Sequence, residues 1–178
     1  CENVNLVTPS HVPHAIVAAA AIAARRGLRL PLVWNSSGYD AMATLRALDG
    51  VVDVYLPDLK TASPDTAGRL LNTPDYPAVA RAAIVEMHRQ VGDLVVDRDG
   101  VARRGLLVRH LVLPGATADA LEVVRWLASA APGTAVNVMD QYRPLAGAAA
   151  HPDIARRVTT AEVEAVRAQA RRSGLRVV

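Results

Sequence analysis

Asp58-Leu59-Lys60 follows the apolar run 51–56 and Pro57. In an extended chain, residues two apart face the same side. Asp58 and Lys60 then share one space with Leu59 turned away, and burial there demands that the charges pair. Lys60 is the only lysine, against 19 arginines. A compact ammonium on a flexible stem is not equivalent to a planar guanidinium fork, so the choice at this position carries information. Two readings stand: a pair that merely neutralises itself at a strand end, or a site that needs an ammonium group.

Arg109 sits in the run Arg109-His110-Leu111-Val112-Leu113. Alternation puts Arg109, Leu111 and Leu113 on one face and His110 and Val112 on the other. An arginine in so apolar a strand suits a carboxylate or phosphate ligand, which its fork binds bidentately; it suits one of the protein's own carboxylates equally. His110 reads as structural. His11 and His14 have the i, i+3 spacing of metal ligands on a helix. Pro13 between them instead points to a helix start, and no metal site is assigned. The run Asn35-Ser36-Ser37 matches a glycosylation acceptor without a secretion signal, and no glycine-rich phosphate loop or dinucleotide fingerprint is present.

The elements that must position these residues alternate between short β-branched runs and Ala-rich helical stretches. Strands are predicted at 4–7, 30–34, 51–56, 106–113, 135–139 and 175–178. Helices are predicted at 12–26, 40–48, 63–71, 76–91, 118–131 and 161–172. Ser63 caps the third helix with Pro64 at its first position, and Thr160 caps the last. Gly27 stops the first helix and Pro57 closes the third strand. The segments 94–96 and 101–103 form an inserted hairpin around Asp99-Gly100. The expectation is a single α/β domain over residues 1–178, a partial (β/α) barrel of mostly parallel strands with outer helices. In such folds the loops after the strands carry the chemistry. Here those loops are Thr8-Pro9-Ser10-His11, Asn35-Ser36-Ser37-Gly38, Asp58-Leu59-Lys60, Pro114-Gly115 and Asp140-Gln141-Tyr142-Arg143.

Composition narrows the function classes. The chain has 178 residues, of which 51% are hydrophobic, 3% are aromatic and none is Phe. The core must therefore be built from Ala, Val and Leu. No run approaches the roughly 20 apolar residues of a membrane span. The net charge of +3 is modest and the Arg pairs are scattered, unlike the clustered basic face and stacking aromatics of a nucleic-acid binder. One cysteine excludes an internal disulfide framework, and the expected location is the cytoplasm.

Together these pieces resemble the radical S-adenosylmethionine superfamily, in the branch similar to pyruvate formate-lyase activating enzyme. The resemblance rests on Asn3-Val4-Asn5-Leu6-Val7-Thr8-Pro9-Ser10-His11, the segment 30–40 with Leu32-Val33-Trp34-Asn35-Ser36-Ser37-Gly38, Asp58-Leu59-Lys60, and Arg109-His110-Leu111-Val112-Leu113-Pro114-Gly115. It implies S-adenosylmethionine laid across the strand ends and cleaved by a reduced [4Fe-4S] cluster to a radical that abstracts hydrogen from a substrate. By position it implies that Asn35 and Ser37 contact the ribose or methionine part, that Asp58 and Lys60 line the same pocket, and that Arg109 meets the methionine carboxylate. The implied partners are a protein substrate of the glycyl-radical type and an electron donor of flavodoxin or ferredoxin type.

The sequence also departs from that family. The signature Cys-x3-Cys-x2-Cys is absent, and a single cysteine, Cys1, cannot hold the cluster. The usual Gly-Gly-Glu-Pro is here Thr8-Pro9-Ser10-His11, and Gln141-Tyr142 stands where activating enzymes often have His. A start within a strand leads to the expectation that the chain is a carboxyl-terminal portion whose first strand, cluster loop and first helix lie upstream. Two other readings use the same residues: a cluster-free nucleotide- or partner-binding module, or a barrel lyase with Lys60 as a Schiff base. Upstream coding sequence is expected to carry the three-cysteine signature, and an in-frame extension without it would overturn the expectation.

Overall fold

The structure, a computed structural model, describes the backbone of residues 1–178 and every side chain except that of Ala146. The fold is α/β with a mostly parallel sheet of seven strands. The chain divides into two compact units, residues 1–58 with 78–107, and residues 59–77 with 108–178.

The first unit holds β1 (Val4–Val7), α1 (Pro13–Arg25), β2 (Leu32–Ser36), α2 (Met42–Ala47) and β3 (Val54–Pro57). Most of α4 (Tyr76–Val91), all of β4 (Val95–Val96) and the first half of β5 (Ala102–Leu111) complete it. Strands β1, β2 and β3 pair in parallel, with Val33 opposite both Asn5 and Val54. Strand β3 then pairs in parallel with β5 through Val54–Gly105 and Tyr55–Leu106, while β4 folds back antiparallel on β5. The second unit holds α3 (Pro64–Leu71), α5 (Thr117–Ala130), β6 (Ala135–Met139), α6 (Thr160–Arg172) and β7 (Arg176–Val177). There β6 and β7 are parallel, and β6 meets the chain beyond β5 where the Val112 amide donates to Met139 O at 3.0 Å.

Each unit has its own core, and the residue types explain it. With no Phe to fill space, the first unit seals Trp34, Tyr55, Leu45, Leu48, Ile84 and Met87 completely. The second is mostly aliphatic, with Val124 and Leu127 of α5 and Val163 and Val166 of α6 buried where these helices pack, and it also buries Tyr76. Tyr55 is a polar residue in the first core, so its hydroxyl needs a partner. It donates to Gln90 Oε1 at 2.7 Å, and Gln90 Nε2 donates to Leu45 O and to Glu86 Oε1, each at 2.8 Å. Burial, followed by the nearby carboxylates Asp49 and Asp40, pushes the phenol well above its ordinary range.

Several boundaries differ from those read in the sequence, each for a local reason. Pro31 has no amide hydrogen, so β2 begins at Leu32 and carries Asn35 and Ser36 within the strand instead of in the following loop. Pro57 pairs with Ser36 as the last residue of β3; the strand ends on it, not before it. The arm 101–103 and the strand 106–113 are one ten-residue strand, β5, that passes through Gly105. The last helix is capped by Thr159, not Thr160, because Glu162 lies three residues beyond it and completes a capping box. The cap on Ser63 is as predicted, its Oγ accepting from the Thr66 amide at 3.1 Å.

Gly105 makes the continuity of β5 possible. Its φ is +115°, a conformation open to glycine and strained for other residues. A Cβ there would come within 2.6 Å of Asp93 C and Leu94 Cα, both backbone atoms that cannot swing aside. Gly105→Ala is therefore expected to destabilise the protein by about 3 kcal/mol or more, from strain and overpacking together. Urea denaturation measures this, and a loss below about 1 kcal/mol would contradict the constraint.

Candidate functional site

Within the first unit, the carboxyl ends of β1, β2 and β3 are organised by Asp40. The residue is 2% exposed. Its Oδ1 accepts from Ser10 Oγ at 2.5 Å and from Trp34 Nε1 at 3.3 Å, and its Oδ2 accepts from Ser36 Oγ at 2.5 Å. A buried carboxylate demands such donors, and these come from the loop after β1 and from β2 itself. Ser36 Oγ in turn accepts from the Gly38 amide at 3.2 Å, which shapes the turn carrying Ser37. Gly38 has φ +78°, the conformation that turn requires.

On this frame, Asn35 is half-buried in the last turn of pleat in β2, and its carbonyl accepts from the Thr8 amide at 2.9 Å. Ser37 is exposed in the turn that follows. Asp58 is half-buried, and its amide donates to Ser36 O at 3.0 Å. Asn35, Ser37 and Asp58 thus lie at or just beyond the ends of the adjacent strands β2 and β3. Thr8, which opens the segment departing from the family pattern, has φ +54°. A β-branched residue in that region is a backbone outlier of the kind that clusters at functional sites. The His11 ring nitrogen Nδ1 donates to Thr8 O at 2.9 Å.

Within the second unit, Lys60 and Arg109 are brought to neighbouring backbone. The Leu59 amide donates to Arg109 O at 2.9 Å, and His110 Nδ1 donates to Leu59 O at 2.7 Å. His110 is 2% exposed, so its reading as structural agrees with this geometry. Burial alternates along both segments: Leu59 is sealed while Lys60 is half-buried, and His110 and Val112 are buried while Arg109 and Leu111 are half-buried. The Lys60 amide donates to Tyr76 Oη at 3.1 Å. Beyond it, Asp119 holds the next turn, accepting from Thr61 Oγ1 at 2.5 Å and from the Ala62 amide at 2.8 Å.

Sequence reasoning missed Asp40 and Asp119. Asp40 lies four residues beyond Ser36 and looks like the start of a helix, but α2 begins only at Met42. The signal available was a lone Asp preceded by Trp34 and two serines, all able to donate. Asp119 is acidic in the first turn of α5, and nothing nearby in sequence points to its partners 57 and 58 residues away.

The set of donors decides what can be held. Asn35, Ser37 and Asp58 in the first unit, and Lys60 and Arg109 in the second, are residue types that hydrogen-bond hydroxyl or carboxylate groups. They do not suit an iron–sulfur cluster: Cys1 is the single cysteine and is exposed. Among the described residues no three His, Cys, Asp or Glu side chains are placed to hold a metal ion. No described helix is long and apolar enough to cross a membrane.

No family model matches the chain. Over 164 residues, 92% of its length, it is 30% identical to an uncharacterized protein of Methanocaldococcus jannaschii. The chain spans 44% of that relative, less than half its length. Among solved structures it is similar to a domain of pyruvate-formate lyase-activating enzyme from Bacteroides vulgatus, with a TM-score of 0.72. That likeness covers 100% of this chain and 98% of the other at 13% identity, and establishes the shared fold.

Replacing Asp40 tests the frame directly. Asp40→Ala leaves three donors, two of them buried, without their acceptor and is expected to cost about 3–5 kcal/mol. Asp40→Asn retains one acceptor oxygen and is expected to lose roughly half as much. Denaturant unfolding followed by Trp fluorescence measures both; equal stability of Asp40→Ala and the parent would refute the role.

Proposed function

We propose that this chain supplies the S-adenosylmethionine-binding part of a radical S-adenosylmethionine enzyme of the activating type. The observation that carries the reading is a fold similar over the whole chain to an activating-enzyme domain, on which the residues of the family resemblance fall at strand ends and in the adjacent loops. Arg109 offers a fork to the methionine carboxylate. Asn35 and Ser37 offer hydrogen bonds to ribose hydroxyls or the methionine part, while Asp58 and Lys60 supply opposite charges for the ligand's own ammonium and carboxylate groups. When bound, S-adenosylmethionine supplies the sulfonium whose reductive cleavage gives a hydrogen-abstracting radical. The work of this chain is to bind and orient the ligand.

The cluster that would deliver the electron does not fit these residues, since one exposed cysteine cannot replace three thiolates. Its ligands, the electron donor of flavodoxin or ferredoxin type and the cytoplasmic setting belong to this proposal and not to the 178 residues themselves. The partner in the same reading is a protein substrate of the glycyl-radical type, in keeping with an activating enzyme.

Calorimetric titration of the chain with S-adenosylmethionine and S-adenosylhomocysteine tests the reading. Binding of both is expected in the micromolar to millimolar range, roughly −8 to −4 kcal/mol. Arg109→Lys is expected to weaken it about tenfold, because an ammonium cannot reproduce a bidentate contact. No heat at millimolar ligand would overturn the proposal.

A further inference from the structure

We propose that the carboxyl end of β6, in the second unit, binds an oxyanion (carboxylate or phosphate) whose attached apolar group occupies the adjoining leucine-lined bowl. A cavity of about 400 Å³ opens there, within the size range of small-molecule sites. Its walls carry three guanidinium groups, those of Arg143, Arg157 and Arg167, against one carboxylate, that of Asp140.

The three arginines are not alike. Arg167 is fixed: it donates to Val138 O at 3.1 Å and pairs with Glu164 at 3.0 Å and Asp140 at 3.6 Å. Asp140 is thereby engaged by Arg167. Among the described residues, Arg143 and Arg157 have no carboxylate in ion-pair range. Some arginines elsewhere meet acids, as Arg69 meets Asp153 and Arg89 meets Asp49 and Glu86. Others, such as Arg25, Arg46 and Arg172, do not among the described residues, and what sets Arg143 and Arg157 apart is that they line one cavity together. Two arginines facing one cavity without an internal acid leave positive charge for a ligand to neutralise. The first turn of α6 forms another wall through Thr160, and the partial positive charge of that helix end has the same sign. The turn is held rigidly: Glu162 accepts from the Thr159 amide, the Gly115 amide and Arg156 Nη2, each at 2.8 Å.

A second cavity, of about 380 Å³, shares Tyr142 and Arg143 with the first. Leu70, Leu113, Leu145 and Ile154 contribute its apolar lining. Tyr142 is the common wall, pinned by its hydroxyl donating to Ile154 O at 2.9 Å. Leu145 is 76% exposed, a large apolar side chain left in water beside this bowl. A basic chamber beside an apolar one, with Tyr142 and Arg143 shared between them, favours an amphiphilic oxyanion over a bare anion or a bare hydrocarbon.

Calorimetry on the whole chain tests this with three probes: octanoate, acetyl-Leu-Leu with a free carboxylate, and inorganic phosphate, with 1-octanol as the uncharged control. Octanoate or the peptide is expected to bind more tightly than phosphate or octanol. The tighter of the two identifies the source as a free acid or a peptide carboxyl terminus. Arg143→Gln/Arg157→Gln is expected to weaken binding about tenfold, and Leu145→Ser about threefold. All three residues are exposed, so folding is not at stake, and thermal melting verifies it. Absence of binding for every probe at about 10 mM would overturn the proposal, as would identical binding by the double variant. The proposal does not rest on the S-adenosylmethionine reading, and the same double variant separates them. If it loses S-adenosylmethionine as well, the cavity belongs to that ligand and the inference fails.

Discussion

Asp40 takes three hydrogen bonds at 2% exposure, from Ser10, Trp34 and Ser36, and the geometry of the first unit's strand ends follows from that demand. A carboxylate removed from water must find donors in the protein or change its protonation. The donors nearest in sequence are Ser36 and Trp34, on β2; the third, Ser10, lies 30 residues away. Satisfying Asp40 therefore closes the loop after β1 onto the turn after β2. It also fixes Ser36 Oγ, which accepts from the Gly38 amide, so the exposed Ser37 between them is held in one turn. The backbone of Ser36 receives the Asp58 amide, which carries the same constraint to the end of β3.

The second unit uses the same device twice. Asp119, at the start of α5, binds Thr61 and the Ala62 amide and so orders the segment after Lys60. Glu162, in the first turn of α6, binds the Gly115 amide as well as its own capping partner, Thr159. Arg156 first, and then the Gly115 and Thr159 amides, hold the Glu162 carboxyl well below the usual carboxylate range. In each case a carboxylate near a helix start ties down a loop at a strand end. Charge at the helix amino terminus is favourable in itself, which is why acids are available at these places. Loops that would otherwise sample many conformations are thereby pre-shaped, and pre-shaping lowers the entropy cost of binding.

Much of this architecture was legible because it depends on local rules. The strands at Val4–Val7 and Ala135–Met139 and the helix Tyr76–Val91 appear with the predicted bounds, since each is an uninterrupted run of one period. The faces of β5 were legible too: alternation alone separated the half-buried Arg109 from the buried His110. The errors arose where a single residue changes the outcome through a distant partner. The segments 101–103 and 106–113 read as separate, but Gly105 between them has a φ of +115° that lets β5 continue past the Asp93–Leu94 backbone. Asp40 and Asp119 looked like ordinary helix-start acids, because their partners come from other strands and loops. Periodicity cannot see such pairs, which involve one polar atom and a fold already formed.

The arginine bias of the sequence takes on a different meaning once these contacts are placed. Nineteen arginines in 178 residues could be mere preference, and a surface count would carry no functional weight. Many are absorbed by acids: Arg103 meets Asp97 at 2.6 Å, Arg156 meets Glu162 at 2.8 Å, and Arg125 meets Glu122 at 3.4 Å. Exposed pairs of this kind each contribute little to stability, so they explain composition without explaining function. What distinguishes an arginine is then its surroundings. Arg109 is half-buried in an apolar strand, unlike the exposed Arg125 and Arg156. Lys60 stands apart for the opposite reason, as the one cation that departs from the bias.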